Sequence, residues 1–452
     1  MPVTSPAVPD HARAHGSLKK RAFSASIWSI LEYGFGMCLR VVSSLVLTRL
    51  LAPAYFGEIT LVTTLIVGIN LLSDIGLVPS VIQSAQGDEP VFLNTAWTVQ
   101  IWRGVTLWLI AILLSWPMAI FYHDSKLKLL LPVLALSTLI SSFNGTSLLT
   151  LARHMGVGRL FAIDGSTALV SLIVTIIWAY VHPSVWAIVA GQLISNLYRL
   201  CLSHIRAVAP GIRNSFCWDK KSVHDIVHFG KWIMVTTAFY FFASQADKLV
   251  LGRLITLAAL GVYGLAYQLS DIPRQIMLAL GSRVAYPFIT KMIHRPVEEF
   301  ESQFLRYRGF ALLAGALMIG LMVNWGGLFV TRLYDHRYHD AAWMIPILAI
   351  GLWQTLLYQT TYPILLSLGK AKYGAAGNAA YCAAVFTAIP LAFHFFNLFG
   401  GVVAVAAGDL PLYFVIQYGV TRQKVRPWRQ DVLMTAVFIS ITLGLHYLKR
   451  LL

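Results

Sequence analysis

Apolar runs of about 18 to 25 residues, parted by short polar breaks, recur from residue 22 to the end of the chain. Runs of that length cross the hydrocarbon core as helices, whereas the strands of a barrel would be shorter and alternate apolar with polar. Hydrophobic residues make up 57% of the chain and charged residues only 12%, too few to clothe a water-soluble surface. The sequence therefore specifies an all-α polytopic membrane protein. Helices are expected at 22–50, 56–82, 95–121, 128–151, 160–181 and 185–203, then at 229–252, 259–289, 309–331, 341–368, 375–396 and 400–421, with an extra apolar segment at 432–448.

The second set repeats the first. At an offset of about 204 residues, Trp232 falls on Trp28, Phe239 on Phe35, and Leu249 to Leu251 on Leu45 to Leu47. Arg253 falls on Arg49, Leu254 on Leu50, Ala258 on Ala54 and Gly261 on Gly57. A gap-free match through an apolar run, an Arg-Leu corner and a glycine indicates duplication, and duplicated halves in a membrane are the mark of a transporter. The expected division is a cytosolic tail at 1–21, a first bundle at 22–203, a basic connector at 204–228, a second bundle at 229–421 and a basic turn with the extra segment at 422–452. Each bundle is expected to hold about six helices, for about 12 to 14 transmembrane helices in all; parallel repeats would enclose a central cleft.

The formal charge of +16 matters through its placement. With the N-terminus inside, the cytoplasmic turns hold Arg153 and Arg159, the connector cluster of Arg206, Arg213, Lys220 and Lys221, Arg306 and Arg308, Lys370 and Lys372, and Arg422 to Arg429. The opposite turns hold chiefly Lys126, Lys128, Arg332 and Arg337. That asymmetry places the N-terminus in the cytoplasm. No basic soluble face suited to nucleic acid is evident. Cys38, Cys201, Cys217 and Cys382 are scattered, without the spacing of a disulfide framework or a zinc site. His336 and His339 with Asp335 and Asp340 lack a defined metal spacing and read as an interfacial loop, so no metal is expected. No phosphate-binding Gly-x-x-x-x-Gly-Lys-Ser/Thr loop or hydrolase motif is present, so the chain reads as a non-enzyme without a cofactor, driven by substrate supply, product consumption or a proton or sodium gradient.

Specific stretches resemble a known family. Leu47 to Gly57 (LTRLLAPAYFG), Ser73 to Leu77 (SDIGL), Ala246 to Gly252 (ADKLVLG), Leu260 to Tyr263 (LGVY) and Leu333 to Ala342 (LYDHRYHDAA) are similar to the Wzx-type polysaccharide flippases of the multidrug/oligosaccharidyl-lipid/polysaccharide exporter superfamily. The resemblance covers nearly the whole chain. It implies a multi-pass protein of the bacterial inner membrane, moving undecaprenyl-pyrophosphate-linked oligosaccharide from the cytoplasmic to the periplasmic leaflet for exopolysaccharide or lipopolysaccharide synthesis. Its partners would be the lipid-linked oligosaccharide, membrane lipid, and polysaccharide polymerase or export machinery. Two other readings stay open: a drug or small-molecule exporter, which would favour an acidic, aromatic pocket over an arginine-rich one, and an inner-membrane polymerase or ligase.

A charge at the bilayer centre costs roughly 3 kcal/mol on insertion scales, so each intramembrane charge needs a partner or water. Guanidinium forks suit phosphate, which makes Arg40, Arg274, Arg103 and Arg283 the candidates for a pyrophosphate and sugar cleft. Asp247, Glu32, Asp74 and Asp271 are the candidates for ion coupling, because a desolvated carboxylate can load and release a proton. Asp164, Lys248 and Asp409 complete the set. Asp271 and Arg274 share a helical face across Pro273, a spacing that permits an ion pair at a kink. Simple pairing is the competing reading at each position.

Overall fold

The computed structural model describes residues 11–154, 156–280 and 296–451, and among these residues every regular element is a helix. The first lobe opens with α1 (His11–Leu50) and turns through Ala52 into α2 (Pro53–Leu72), whose first residue is a proline with no amide to leave unsatisfied. The single helix expected at 56–82 is two, because Gly76 lies at φ 60° and donates its N–H to the Asp74 side chain at 2.8 Å. This turn closes α2 and starts α3 (Leu77–Gln83). Next come α4 (Pro90–Phe121), then α5 (Leu127–Ser142) and α6 (Ser147–Arg153), bent by 66° where one helix was expected at 128–151. The lobe ends with α7 (Val157–Val181) and α8 (Val185–His204).

The second lobe begins inside the expected connector. Asp219 accepts the Ser222 N–H at 2.8 Å and caps α9 (Lys220–Leu254). Thr256 caps α10 (Leu257–Ser270), α11 (Ile272–Leu280) follows past Asp271, and α12 (Val297–Leu333) leads to the turn at 334–340. The chain continues through α13 (Ala341–Ser367), α14 (Lys372–Ala407), α15 (Leu410–Thr421) and α16 (Trp428–Leu451). Asn397, at φ 52° and ψ −145°, doubles α14 back on itself: Gly400 packs on the Ala392 carbonyl, and farther along Gly377 meets Leu412 and Gly419 meets Tyr373. This reversal falls between the helices expected at 375–396 and 400–421. Among the described residues nine helices are long and apolar enough to cross a membrane, ten if the bent pair counts as one.

The internal repeat is visible in the helix ends. Leu50 closes α1 as Leu254 closes α9, and Pro53 opens α2 as Leu257 opens α10. The copies meet across a local twofold relation. A Cβ at Gly57 would collide with the Leu257 carbonyl oxygen, and a Cβ at the equivalent Gly261 would collide with that of Pro53. Residue i contacting j while the repeat of i contacts the repeat of j is the pattern of an isologous interface, here within one chain. The largest apolar core runs through this seam, joining Leu61, Val62, Leu130 and Leu134 to Leu251, Leu260 and Tyr263.

The turn after α12 extends the seam. Tyr334 Oη lies 2.7 Å from Ser44 Oγ, Tyr338 Oη donates to the Leu51 carbonyl at 3.1 Å, and Arg337 donates to the Arg49 carbonyl at 3.1 Å. Asp335 holds Arg337 in place: hydrogen bonds from the Arg337 side chain and amide push its carboxyl down to about 2. One face of the two-lobed molecule is thereby closed. The connector and the basic turns at Arg153, Lys370 and Arg422 follow helices that run away from it. The extra helix α16 lies along α12, fixed by Lys449 on the Asn324 carbonyl at 2.6 Å and by Trp353 on Thr435 at 2.9 Å.

Candidate functional site

The break between α10 and α11 organises the second lobe's interior. Asp271 ends α10, Pro273 lies in the first turn of α11, and one turn on Arg274 grips Asp271 with two nitrogens, Nη2 at 2.9 Å from Oδ2 and Nε on Oδ1. Gln275 donates to Asp271 Oδ2 at 3.0 Å and accepts from Arg40 Nη1 of the first lobe at 3.1 Å. An unbroken polar chain thus runs from Arg40 to Arg274 across the lobes. Its Arg40 end opens on a pocket of about 440 Å³ against Tyr33, Phe161 and Asp164.

Its other end opens on a cavity of about 1110 Å³ between α9 to α15, wholly within the second lobe. Tyr240, Tyr267, Tyr307, Tyr358, Tyr362 and Tyr381 line it, with the amides of Gln359 and Asn378. Four charged side chains among the described residues reach it: Asp271, Arg274, Arg308 and Asp409. Thr355 donates to Asp409 at the junction of α14 and α15.

Arg308 was expected in a cytoplasmic turn; it is buried, because α12 starts a dozen residues earlier than the apolar run suggests. Its guanidinium pairs with Asp431 of α16, the two side chains being 1% and 2% exposed, and also donates to Thr360, to the Leu357 carbonyl and to Gln430. The sequence signal was there: Phe300, Phe304 and Arg308 recur at four-residue spacing, a buried helical stripe. Both cavity arginines are tied to carboxylates, and the described lining is aromatic with Asp409 left over, where an arginine-rich cleft was expected.

The other sequence candidates scatter. Arg103 donates to the carbonyls of Asn70 at 2.7 Å and Ser73 at 2.9 Å and so caps the end of α2. Asp74 is spent on the Gly76 turn. Asp247, 3% exposed, accepts from Tyr263 Oη at 2.5 Å outside the cavity lining. Asp164 pairs with Arg199 at 2.8 Å, and Lys248 bonds Gln245 and sits over the Tyr267 ring. Arg283 and the side chain of Glu32 lie outside the described residues. Of the eight candidates for phosphate or ion, Arg40, Asp271 and Arg274 converge.

Comparison with known proteins decides the family. Residues 46–342, well over half of the chain, match the family described as polysaccharide biosynthesis protein. The chain belongs to that family. One relative of this polysaccharide biosynthesis protein is the lipopolysaccharide biosynthesis protein WzxC of Escherichia coli K12, 23% identical over 79% of this chain and 71% of that one. The fold is that of the exporter superfamily. An inward-facing multidrug resistance transporter of that superfamily superposes with a TM-score of 0.65 at 13% identity, covering 85% of this chain and 94% of the other. The lipid II flippase MurJ, in an inward closed conformation, gives 0.57 at 12% identity over 95% and 92%. This member of the polysaccharide biosynthesis protein family is thus a multi-pass membrane protein with the fold of those transporters.

Proposed function

We propose that the protein is a flippase that carries undecaprenyl-pyrophosphate-linked oligosaccharide from the cytoplasmic to the periplasmic leaflet of the bacterial inner membrane. The observation that carries this reading is a tyrosine-lined cavity with a few convergent charged and amide groups inside an apolar two-lobed shell, sealed at one face by a self-complementary seam between the lobes. A carrier needs this form: one chamber, two lobes and one end shut at a time. The sealed face is read as periplasmic, since the basic turns lie away from it.

In this mechanism the pyrophosphate enters beside Arg40, which is exposed and, among the described residues, hydrogen-bonds the neutral oxygen of Gln275. A phosphate oxygen is the stronger acceptor for a guanidinium, so its arrival displaces Gln275 and loosens the tie between α1 and α11. The glycan takes the second-lobe cavity while the acyl chain stays in lipid. Separation of the α2–α10 seam then opens the far face. No chemistry on the substrate is required, so the protein acts without catalysis. Coupling to a proton or sodium gradient would act at Asp271, the ion-coupling candidate that lines the cavity and whose partner Arg274 could be displaced. Product consumption by polymerase or export machinery would pull the cycle forward.

One observation favours a second reading, an exporter of organic cations: the tyrosine lining with Asp409 suits a cation as well as a sugar. The deciding experiment compares labelling of lipid-linked oligosaccharide in intact and lysed spheroplasts of a strain lacking the protein. Retention on the inner leaflet, relieved by wild type but not by Arg40→Ala, is expected. Complete units on the outer leaflet of that strain would refute the flippase reading.

A further inference from the structure

We propose that the second-lobe cavity is a glycan-reading subsite, that it takes sugar units that are neutral or carry an amine, and that Asp409 is the residue that turns uronic-acid units away. This rests on the flippase reading and adds the substrate class.

The internal repeat supplies the first argument. At the shared offset, Tyr240, Tyr267, Asp271 and Arg274 stand where the first half has Gly36, Thr63, Val67 and Asn70. Both copies build the same α1–α2 and α9–α10 frame, so the aromatic and charged set is not what the frame requires. One copy has acquired a lining the other folds without, and that lining surrounds the cavity.

The second argument is the chemistry of the walls. A sugar ring offers C–H faces and a rim of hydroxyls, and tyrosine answers both, with an apolar ring and a hydroxyl at its edge. Tyr358 and Tyr381 come from α13 and α14, and Gln359 and Asn378 beside them carry donors and acceptors suited to ring hydroxyls. At about 1110 Å³ the space exceeds the usual range for a small-molecule site, so more than one ring fits.

Charge decides the class. Arg274 is gripped by Asp271 and Arg308 by Asp431, so neither guanidinium is free for a sugar carboxylate. Asp409 differs. Its partner is the Thr355 hydroxyl, with no cation bonded to it among the described residues. A carboxylate facing a poorly hydrated chamber attracts an ammonium group, accepts from hydroxyls and repels a second carboxylate. The site thus reads the sugar, while Arg40, on the other side of Gln275, is left for the phosphate.

The test uses the full-length protein in lipid nanodiscs and saturation-transfer NMR with soluble probes: trisaccharides of glucose, glucosamine and galacturonate, with tetraethylammonium as a fourth. Wild type is expected to bind the glucose and glucosamine trimers at least about tenfold more tightly than the galacturonate trimer. Asp409→Asn should keep the glucose trimer and narrow the difference to within about twofold. Tyr358→Ala should weaken all three sugars by about tenfold or more, and Lys128→Ala, exposed and remote from the cavity, should change nothing. Size-exclusion profiles and melting temperatures establish that each variant is folded. The proposal is overturned if the galacturonate trimer binds wild type as well as glucose does, if Asp409→Asn leaves the discrimination intact, or if no sugar binds. Any of these with oligosaccharide still retained inside the deletion strain removes the subsite alone. Binding of tetraethylammonium alone, with oligosaccharide reaching the outer leaflet of that strain, removes the flippase reading as well.

Discussion

Gly57→Ala tests the seam at its tightest point. The added Cβ would collide with the Leu257 carbonyl oxygen and lie 2.7 Å from its carbon and 3.0 Å from Leu257 Cα, where ordinary contact begins at 3.4 Å. All three neighbours are backbone, so no side chain can rotate away, and α2 and α10 must part by about 1 Å. Sliding is blocked, because the equivalent contact of Gly261 with Pro53 fixes the pair from the other side. Overpacking of this kind costs about 1 to 3 kcal/mol. The strain exists only while the seam is shut, so the closed-to-open ratio should fall by about 5- to 150-fold. A reporter cysteine at Thr48, which is fully buried at the closed face, reads this out in a background with Cys38, Cys201, Cys217 and Cys382 replaced. Labelling by a membrane-impermeant maleimide should accelerate at least about fivefold. Gly34→Ala, with nothing within 4 Å of the new methyl, should leave the rate unchanged. An unchanged rate in folded Gly57→Ala would refute the reasoning.

Removing Arg308 leaves Asp431 as an uncompensated buried charge, so Arg308→Ala should cost about 3 to 5 kcal/mol in detergent unfolding. Combining Arg308→Met with Asp431→Leu removes both charges at similar volume and should recover most of that loss. Gln275→Glu would give Arg40 a charged partner and tie α1 to α11, slowing transport more than Gln275→Leu does; equal effects would exclude a release step at this link. Asp335 sets the pH response of the closed face. Its folded pKa of about 2 lies below the unfolded value near ~3.9, so its contribution is fully present above that value and is lost as pH falls through about 2. Labelling at Thr48→Cys, divided at each pH by the rate of an unfolded or free-thiol control to remove the thiolate dependence, should therefore stay flat from about pH 5 to 8 and rise only below about pH 4.

Much of the frame could be read in the chain. The match of Leu50 with Leu254 and of Gly57 with Gly261 marked the duplication; that the two glycines also form the seam, where a backbone approach admits only glycine in each copy, needed the structure. What escaped was set by side chains acting across space. Asp74 read as a candidate for ion coupling and Arg103 for the phosphate cleft, or each as half of an ion pair, yet one closes a turn and the other caps a helix, uses that depend on which backbone groups come near. Arg308 was hidden by helix length, since α12 begins before its apolar run does. The Asp271–Arg274 pair was legible from its spacing, whereas its link to Arg40 through Gln275 needed the two lobes in place.

The most direct measurement locks the seam across its local twofold relation. Thr60 and Gly264 are equivalent positions, and a Cβ at Gly264 would lie 3.3 Å from Thr60 Oγ1, within reach of a disulfide between cysteines there. Purified Thr60→Cys/Gly264→Cys in proteoliposomes, supplied with lipid-linked oligosaccharide labelled on the sugar, should flip at the wild-type rate when reduced. Oxidation should stop it and dithiothreitol restore it. Flipping that continues with the disulfide fully formed would contradict transport by opening of this seam.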